Sequence, residues 1–259
     1  MQREERDAEA RVVARASALV FTNHFAADLV MAKYPEALRA KARVIPHTTD
    51  PDLLREIATI APAPAGGRPM RLSHVGNLFA GRRRANALFE ALAMLHRRRS
   101  LAGRLELVLV GAGSGLYEAR GRVFELSLES IVTFHPRVSH LESLKAMAAS
   151  DVLVIIDAPA QTNVFTPSKL VDYLMARRPM LALTPPTGST AEILAATGDP
   201  IVDGDDANQI AGVIEGLLQR YETGTLAATT HPALMRTFSL EDTAGAFAAV
   251  LSEARTVAK

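Results

Sequence analysis

The fold is decided by Asp151-Val-Leu-Val-Ile-Ile-Asp157 and by the stretch that follows it, Asn163-Val-Phe-Thr-Pro-Ser-Lys-Leu-Val-Asp-Tyr-Leu-Met-Ala-Arg-Arg-Pro179. The first is a short, continuous apolar run, which is typical of a strand buried on both faces of a sheet. The second predicts a helix whose core-facing stripe contains Leu170, Tyr173 and Leu174. A buried strand that leads into a helix is the repeating unit of a parallel α/β sheet.

The start of that predicted helix has the chemistry of an anion site. Thr166 is the predicted N-cap, and Pro167 is expected at the first helical position, where its missing N–H costs nothing. The next N–H groups, at Ser168 and Lys169, then point out of the helix end, where the helix dipole also favours an anion. Lys169 adds a full positive charge, and Asp172 follows three residues later on the same face. Donors and a cation for phosphates, with a carboxylate one turn deeper for a ribose, suit a nucleoside diphosphate.

The rest of the chain alternates short apolar strands with amphipathic helices. Residues 85–98 are predicted to be a helix, because their apolar residues have the spacing of one buried face. Ser189-Thr-Ala-Glu192 has the sequence of a capping box and predicts another helix start. This alternation predicts a Rossmann-like parallel sheet with helices on both faces, in which ligands bind outside the carboxyl ends of the strands. The strands are expected at residues 18–21, 43–46, 71–76, 105–110, 131–134, 151–157 and 180–183.

A proline- and glycine-rich stretch without periodicity, Ala61-Pro-Ala-Pro-Ala-Gly-Gly-Arg-Pro69, predicts a linker. The linker separates a strand–helix–strand segment at 1–60 from an α/β domain at 70–238, and a closing helix is expected within 239–259. A chain of 259 residues is long enough for one large domain or two small ones.

Composition narrows the possible classes of function. A net charge of +1 gives no global electrostatic reason to expect a nucleic-acid partner. The chain has no cysteine, which rules out disulfides and thiolate metal sites, and its seven histidines lack a metal-binding spacing, so no metal is expected. The acidic start and the lack of a long apolar run favour a soluble, cytoplasmic protein with at most peripheral membrane contact.

Other motifs at the predicted ligand edge leave alternatives open. Gly111-Ala-Gly-Ser-Gly115 is similar to a dinucleotide fingerprint, but its third glycine comes too early, so a tight turn near a ligand is favoured. Arg82-Arg-Arg84 could bind a diphosphate or form a solvated basic turn. His74 could face the ligand or be a satisfied core histidine. Arg137, in the loop after the strand at 131–134, could stack on a nucleobase.

Several stretches resemble a known family when they are taken in order. They are Ala18-Leu-Val-Phe-Thr-Asn23, Arg43-Val-Ile-Pro-His-Thr-Thr-Asp50, Val75-Gly-Asn-Leu-Phe-Ala-Gly-Arg82, Leu107-Val-Leu-Val-Gly-Ala-Gly113, Phe134-His-Pro-Arg-Val-Ser139, and Phe165-Thr-Pro-Ser-Lys-Leu-Val-Asp-Tyr-Leu174 with Arg178-Pro179. Together they resemble the C-terminal, donor-binding half of the retaining nucleotide-sugar glycosyltransferases of family 4, which have the two-domain GT-B architecture. The resemblance covers nearly the whole chain.

The resemblance implies a role for each candidate residue. Arg82 and Lys169 would neutralise the donor diphosphate and stabilise the leaving group without an obligatory metal, and no cofactor is implied. Asp172 would bind the ribose of a UDP- or GDP-type sugar donor, whose sugar would pass to an unknown acceptor. The remaining assignments are the glycine turn at Gly76 and Asn77 for the diphosphate, Arg137 and Val138 beside the base, and the N–H groups of Thr166 and Ser168 beside the phosphates.

Two departures from the family pattern shape the prediction. The family commonly has two acidic residues eight positions apart; here Val164 replaces the first and Asp172 takes the place of the second, so the carboxylate expected to contact the transferred sugar is absent. Residues 1 to about 50 resemble only the last part of the family's acceptor domain, onto which the closing helix would normally cross. A second polypeptide or a second copy is therefore expected to cover this segment and this helix.

Three functional hypotheses follow. The first is the donor-binding half of a glycosyltransferase, which is active with an acceptor-binding half from another chain. The second is a non-catalytic nucleotide-sugar-binding partner or regulatory subunit, which Val164 favours, although the retained Arg82, Lys169 and Asp172 disfavour a decayed donor site. The third is a dinucleotide-dependent oxidoreductase, which needs a fingerprint that this sequence lacks.

Overall fold

The computed structural model describes residues 3–60, 67–81 and 85–257, and its strands form two parallel sheets. The small sheet pairs β1 (Leu19–Phe21) with β2 (Ala42–Val44). The large sheet contains β3 (Met70–Val75), β4 (Leu105–Val110), β5 (Val132–His135), β6 (Val152–Ile156), β7 (Met180–Leu183) and β8 (Ile201–Val202). Its strand order is β5-β4-β3-β6-β7-β8, and every neighbouring pair is parallel.

The helices connect these strands. They are α1 (Arg3–Arg15), α2 (His24–Met31), α3 (Glu36–Arg39), α4 (Pro51–Ile57), α5 (Asn86–Arg98), α6 (Leu116–Glu125), α7 (His140–Ala148), α8 (Ser168–Ala176), α9 (Ser189–Ala195), α10 (Ala207–Glu222), α11 (Pro232–Thr237) and α12 (Leu240–Val257). No helix in the described part of the chain is long and apolar enough to cross a bilayer.

Helices cover both faces of the large sheet. Because successive residues of a strand point to opposite faces, each strand contributes side chains to two cores. On β6, Val154 belongs to one core and Leu153 and Ile155 to the other. The first core includes the apolar stripes of α5 and α10, and the second includes those of α7 and α8. The apolar run at 151–157 is therefore a central strand, and its β6 residues are at most 2% exposed. The predicted α/β fold class is confirmed.

Two predicted helix caps are wrong. Thr166 does not cap α8: the N-cap is Pro167, and the Thr166 hydroxyl instead forms a hydrogen bond with the Ser189 hydroxyl. Ser189 and Glu192 do not form a capping box, because Gly188 is the N-cap of α9 and Glu192 lies 3.3 Å from His24 Nε2. In both cases the side chain that the local pattern had assigned to a cap contacts a residue distant in sequence instead.

The terminal segments pack together. Arg43 on β2 donates to Glu253 of α12 at 3.0 Å, and Thr48 donates to the carbonyl of Phe238 at 3.0 Å. Most of the predicted linker, residues 61–66, lies outside the described residues, whereas Arg68 at its end forms an ion pair with Asp151 at 2.7 Å. The limits proposed for the domains stay predictions.

Helix α8 is fixed to the sheet by a buried tyrosine. Tyr173 is fully buried, and its hydroxyl oxygen accepts a hydrogen bond from the backbone N–H of Val75, at the end of β3, over 2.8 Å. Burial raises the pKa of the Tyr173 hydroxyl, so the group stays neutral. The bond ties the middle of α8 to the strand end beside it.

We expect Tyr173→Phe to lower the free energy of unfolding by roughly 1–3 kcal/mol, because the buried N–H of Val75 would lose its acceptor. Urea denaturation followed by circular dichroism measures the change. Tyr117→Phe is the matched control, since Tyr117 is 91% exposed, and it should unfold like the wild type. Equal stability of both variants and the wild type would contradict the assignment.

Candidate functional site

A cavity of about 450 Å³ opens at the carboxyl edge of the large sheet. It lies between the ends of β3 and β4 and the starts of α7 and α8. The strand order reverses between β3 and β6, which is where open α/β sheets form a crevice for ligands. The cavity is lined by Val75, Gly76, Asn77, Phe79, Val110, Gly111, Arg137, Val138, His140, Ser143, Met147, Pro167, Ser168, Lys169 and Asp172.

Most of the residues predicted from the sequence line this cavity. They are Gly76, Asn77, Arg137, Val138, Ser168, Lys169 and Asp172. Thr166 is buried and its hydroxyl is engaged with Ser189 and Asn23, so its side chain does not line the cavity. Arg82 lies outside the described residues.

The loop before α8 is held by polar contacts to Asn23 and Asp157 and by one within the loop. Asn23, which caps α2, donates to the carbonyl of Val164 at 3.1 Å and to the hydroxyl of Thr166 at 3.0 Å. Asn163 donates to Asp157 at 2.6 Å and accepts from the N–H of Phe165 at 3.1 Å. These contacts fix the position at which the first turn of α8 presents its N–H groups.

Lys169 extends across the glycine turn that follows β3. Its Nζ lies 3.0 Å from His74 Nε2, and a Cβ added at Gly76 would lie 3.0 Å from the same Nζ and 3.2 Å from Lys169 Cδ. Gly76 also has a φ of +143°, a conformation that L side chains rarely adopt. Glycine is therefore needed here for the turn and for the close approach of the lysine.

Asp172 lies one turn further along α8, and its side chain is 16% exposed. Burial raises the pKa of its carboxyl group above the usual range, while the charge and hydrogen bond of His140 and the charge of His47 act in the opposite direction. His140 Nε2 is 3.5 Å from Asp172 Oδ2. Sequence reasoning missed this pair, since nothing in the spacing of the two residues signals a contact.

The glycine-rich segment at 111–115 is a support for the neighbouring turn. A Cβ at Gly115 would lie 2.8 Å from Leu78 Cβ, and one at Gly113 would lie 3.0 Å from Asn77 Oδ1. The segment forms a 3₁₀ turn between β4 and α6, and Gly111 lines the cavity. This arrangement agrees with the favoured interpretation of a tight turn near a ligand.

The chemistry of the cavity suits an anionic ligand that carries hydroxyl groups. An ammonium and the N-terminus of a nine-residue helix line the cavity, and a largely buried carboxylate that can accept from hydroxyls lies one turn further along that helix. Within residues 3–60, 67–81 and 85–257, no group of three or more histidine, aspartate or glutamate side chains is arranged to hold a metal ion.

We expect Asp172→Asn to unfold at a higher temperature than the wild type at pH 7. The folded state holds the Asp172 proton more tightly than the unfolded state, so this carboxyl group favours folding below its unfolded pKa and loses that contribution as the pH rises through its folded pKa. Asparagine stays neutral at every pH, and its advantage should vanish in acid.

Thermal unfolding over a series of pH values measures this effect. Asp28→Asn, at an exposed position of α2, is the control and should show no such pH-dependent gain. A variant at position 172 that is less stable than the wild type across the whole series would contradict the expected sign.

No protein-family model and no curated protein matches this sequence. Solved structures do match. The Anabaena protein HepE in complex with UDP and glucose has a TM-score of 0.69 at 17% identity, over 95% of this chain and 66% of that one. Sucrose-phosphate synthase from Thermosynechococcus elongatus has a TM-score of 0.70 at 18% identity, over 99% of this chain and 63% of that one.

The lipopolysaccharide outer core galactosyltransferase WaaB, in its apo form, has a TM-score of 0.64 at 17% identity, over 91% of this chain and 62% of that one. Likeness at this level of identity shows a shared fold, which is the α/β fold of GT-B glycosyltransferases. The chain spans 62–66% of the length of these three structures.

Proposed function

We propose that this chain binds a nucleoside diphosphate sugar and acts as the donor-binding half of a retaining, metal-independent glycosyltransferase of family 4. One observation carries the proposal: Lys169 and the N-terminus of α8 line the cavity, and Asp172, one turn further along the same helix, lines it too. This order of groups matches the order of phosphates and ribose in a nucleoside diphosphate.

Each residue has a distinct part in this proposal. The Lys169 ammonium and the Ser168 N–H bind the diphosphate, with Arg82 as a second cation and the turn at Gly76 and Asn77 beside it. Asp172 accepts hydrogen bonds from the ribose hydroxyls. The remaining cavity wall, which contains Arg137 and Val138, faces the base.

The proposed reaction breaks the bond between the anomeric carbon and a diphosphate oxygen. The nucleoside diphosphate leaves with the electron pair, and the two cations, Arg82 and Lys169, stabilise its charge. An acceptor hydroxyl oxygen forms the new bond on the same face of the sugar, and its proton passes to the leaving diphosphate. No metal and no cofactor take part in this proposed step.

A UDP- or GDP-type donor is proposed. HepE, whose fold this chain shares, has been solved with UDP and with UDP-glucose, which supports the uridine alternative. The sugar and the acceptor are left open by the site, since Val164 stands where the resembling family has the carboxylate that contacts the sugar.

The acceptor-binding half is proposed to come from a second polypeptide or a second copy. The N-terminal segment and the closing helix carry exposed apolar side chains, among them Leu29, Val44, Phe247 and Leu251, which are 45–63% exposed. A partner that covers this surface would complete the site. The protein is proposed to act in the cytoplasm, with at most peripheral contact to a membrane that holds the acceptor.

We expect Lys169→Ala to weaken nucleoside diphosphate binding ten- to a hundredfold, because a charge-assisted phosphate contact contributes roughly 1.5–3 kcal/mol. Calorimetric titration with UDP, GDP and ADP measures the effect and identifies the base. Lys145→Ala is the matched control, since Lys145 is an exposed lysine of the neighbouring helix α7, outside the cavity lining. Equal affinity in both variants would contradict the proposed diphosphate site.

The second candidate, a non-catalytic nucleotide-sugar-binding subunit, is favoured by Val164. Incubation of the chain with a radiolabelled nucleotide sugar and a cell extract separates the two candidates. Labelled product that appears only when the extract is added supports the donor-half proposal. Nucleotide-sugar binding without product, under every condition, supports the regulatory subunit.

We expect the chain alone to expose apolar surface or to form a dimer in solution. Small-angle scattering gives the mass, and the fluorescence of a dye that binds apolar patches reports the surface. Leu251→Glu, at a 63% exposed position of α12, should reduce the dye signal or dissociate the dimer. A monomer without a dye signal would contradict the proposed partner surface.

A further inference from the structure

We infer that His74 is a positioning residue for Lys169: its neutral imidazole accepts a hydrogen bond from the ammonium and holds the charge at the cavity mouth. This inference rests on the diphosphate-binding role proposed for Lys169. His74 itself is fully buried on β3 and does not line the cavity. Its effect on a ligand would pass entirely through the lysine.

The bonding partners of His74 determine its protonation. Nδ1 lies 2.8 Å from the carbonyl oxygen of Val154 on β6, and a carbonyl can only accept, so the hydrogen is on Nδ1. In the neutral ring Nε2 is then the acceptor, and the Lys169 ammonium lies 3.0 Å from it. The Val154 carbonyl thus fixes the tautomer that a lysine partner requires.

A neutral acceptor suits a lysine that must bind phosphate. A lysine side chain has four flexible carbons and loses considerable rotamer freedom when it is immobilised. The bond to His74 and the contact with Gly76 impose that order before any ligand arrives. A carboxylate partner would order the side chain equally well but would neutralise its charge and compete with the diphosphate. A neutral imidazole does not take up the charge of the lysine in this way.

The alternative is that His74 is only a satisfied core residue. In that case its replacement would affect the stability of the sheet, and any loss of binding would extend to every part of the ligand. A positioning role makes a narrower prediction. The loss would be confined to the diphosphate and would require the presence of Lys169.

Two substitutions separate these roles. His74→Asn places an amide near the position of Nδ1, so it keeps the bond to Val154 but removes the imidazole acceptor that faces Lys169. His74→Gln places an amide oxygen near the position of Nε2, where it can accept from Lys169. We expect His74→Asn to weaken UDP or GDP binding about two- to tenfold, and His74→Gln to restore most of it.

Titration with the matching nucleoside, uridine or guanosine, distinguishes the two roles. A purely structural role would change the affinities for the nucleoside and for the nucleoside diphosphate together. We expect nucleoside affinity to be unchanged in His74→Asn, so that only the gain from the diphosphate is reduced. In the Lys169→Ala background, His74→Asn should cause no further loss, since the two residues act as a unit. Equal losses for nucleoside and diphosphate, or additive losses in the double variant, would overturn the inference.

The state of the ring is tested independently of any ligand. Nitrogen-15 spectra of the wild-type chain at pH 7 should show His74 as the neutral Nδ1–H tautomer. This measurement needs no variant, so it stands even where a variant fails to fold. A charged ring or the other tautomer would overturn the inference. If Lys169→Ala weakens UDP or GDP binding but His74→Asn binds like wild type, this inference alone fails. If wild type binds neither nucleotide, the proposed function fails with it.

Discussion

The parallel pairing of β3 with β4 on one side and β6 on the other is the constraint on which the site depends. Ser73 is in register with Val108 of β4 and with Leu153 of β6, so the three strands end at one edge. The strand order reverses at this edge, with β4 on one side of β3 and β6 on the other, so the chain segments that follow these strands turn in opposite directions. The cavity is the crevice between those segments. The glycine turn, the lysine and the start of α8 meet there as a consequence.

The first turn of α8 is held by groups distant in sequence. Tyr173 fixes the helix to β3 from within the core, and Asn23 joins the preceding loop to the N-terminal segment. Each of these polar groups is buried and has a partner, so displacing the loop would leave several of them unsatisfied. A site that depends on the direction of a helix end benefits from this rigidity, because a preformed site avoids the cost of ordering when the ligand binds.

Local patterns in the sequence predicted much of this arrangement. The alternation of strands and helices gave the fold class, and the apolar run at 151–157 gave the central strand. The position of Lys169 and Asp172 after that strand placed them at the ligand edge. What the sequence could not predict depends on contacts between distant residues: Thr166 and Ser189 bind each other in place of capping helices, and His74 of β3 meets Lys169 of α8. Hydroxyl and imidazole groups can form hydrogen bonds with many kinds of partner, and the spacing of residues along the chain does not indicate which partner they meet.

The most direct test of the account is a crystal structure of the chain with the nucleoside diphosphate that it binds. We expect the diphosphate over the N-terminus of α8, within hydrogen-bonding distance of the Ser168 N–H and the Lys169 ammonium, with the ribose hydroxyls on Asp172. We also expect Lys169 to keep its bond to His74. A nucleotide bound elsewhere, or bound in this cavity with its ribose at Lys169 and its phosphates remote from the helix end, would contradict the central claim.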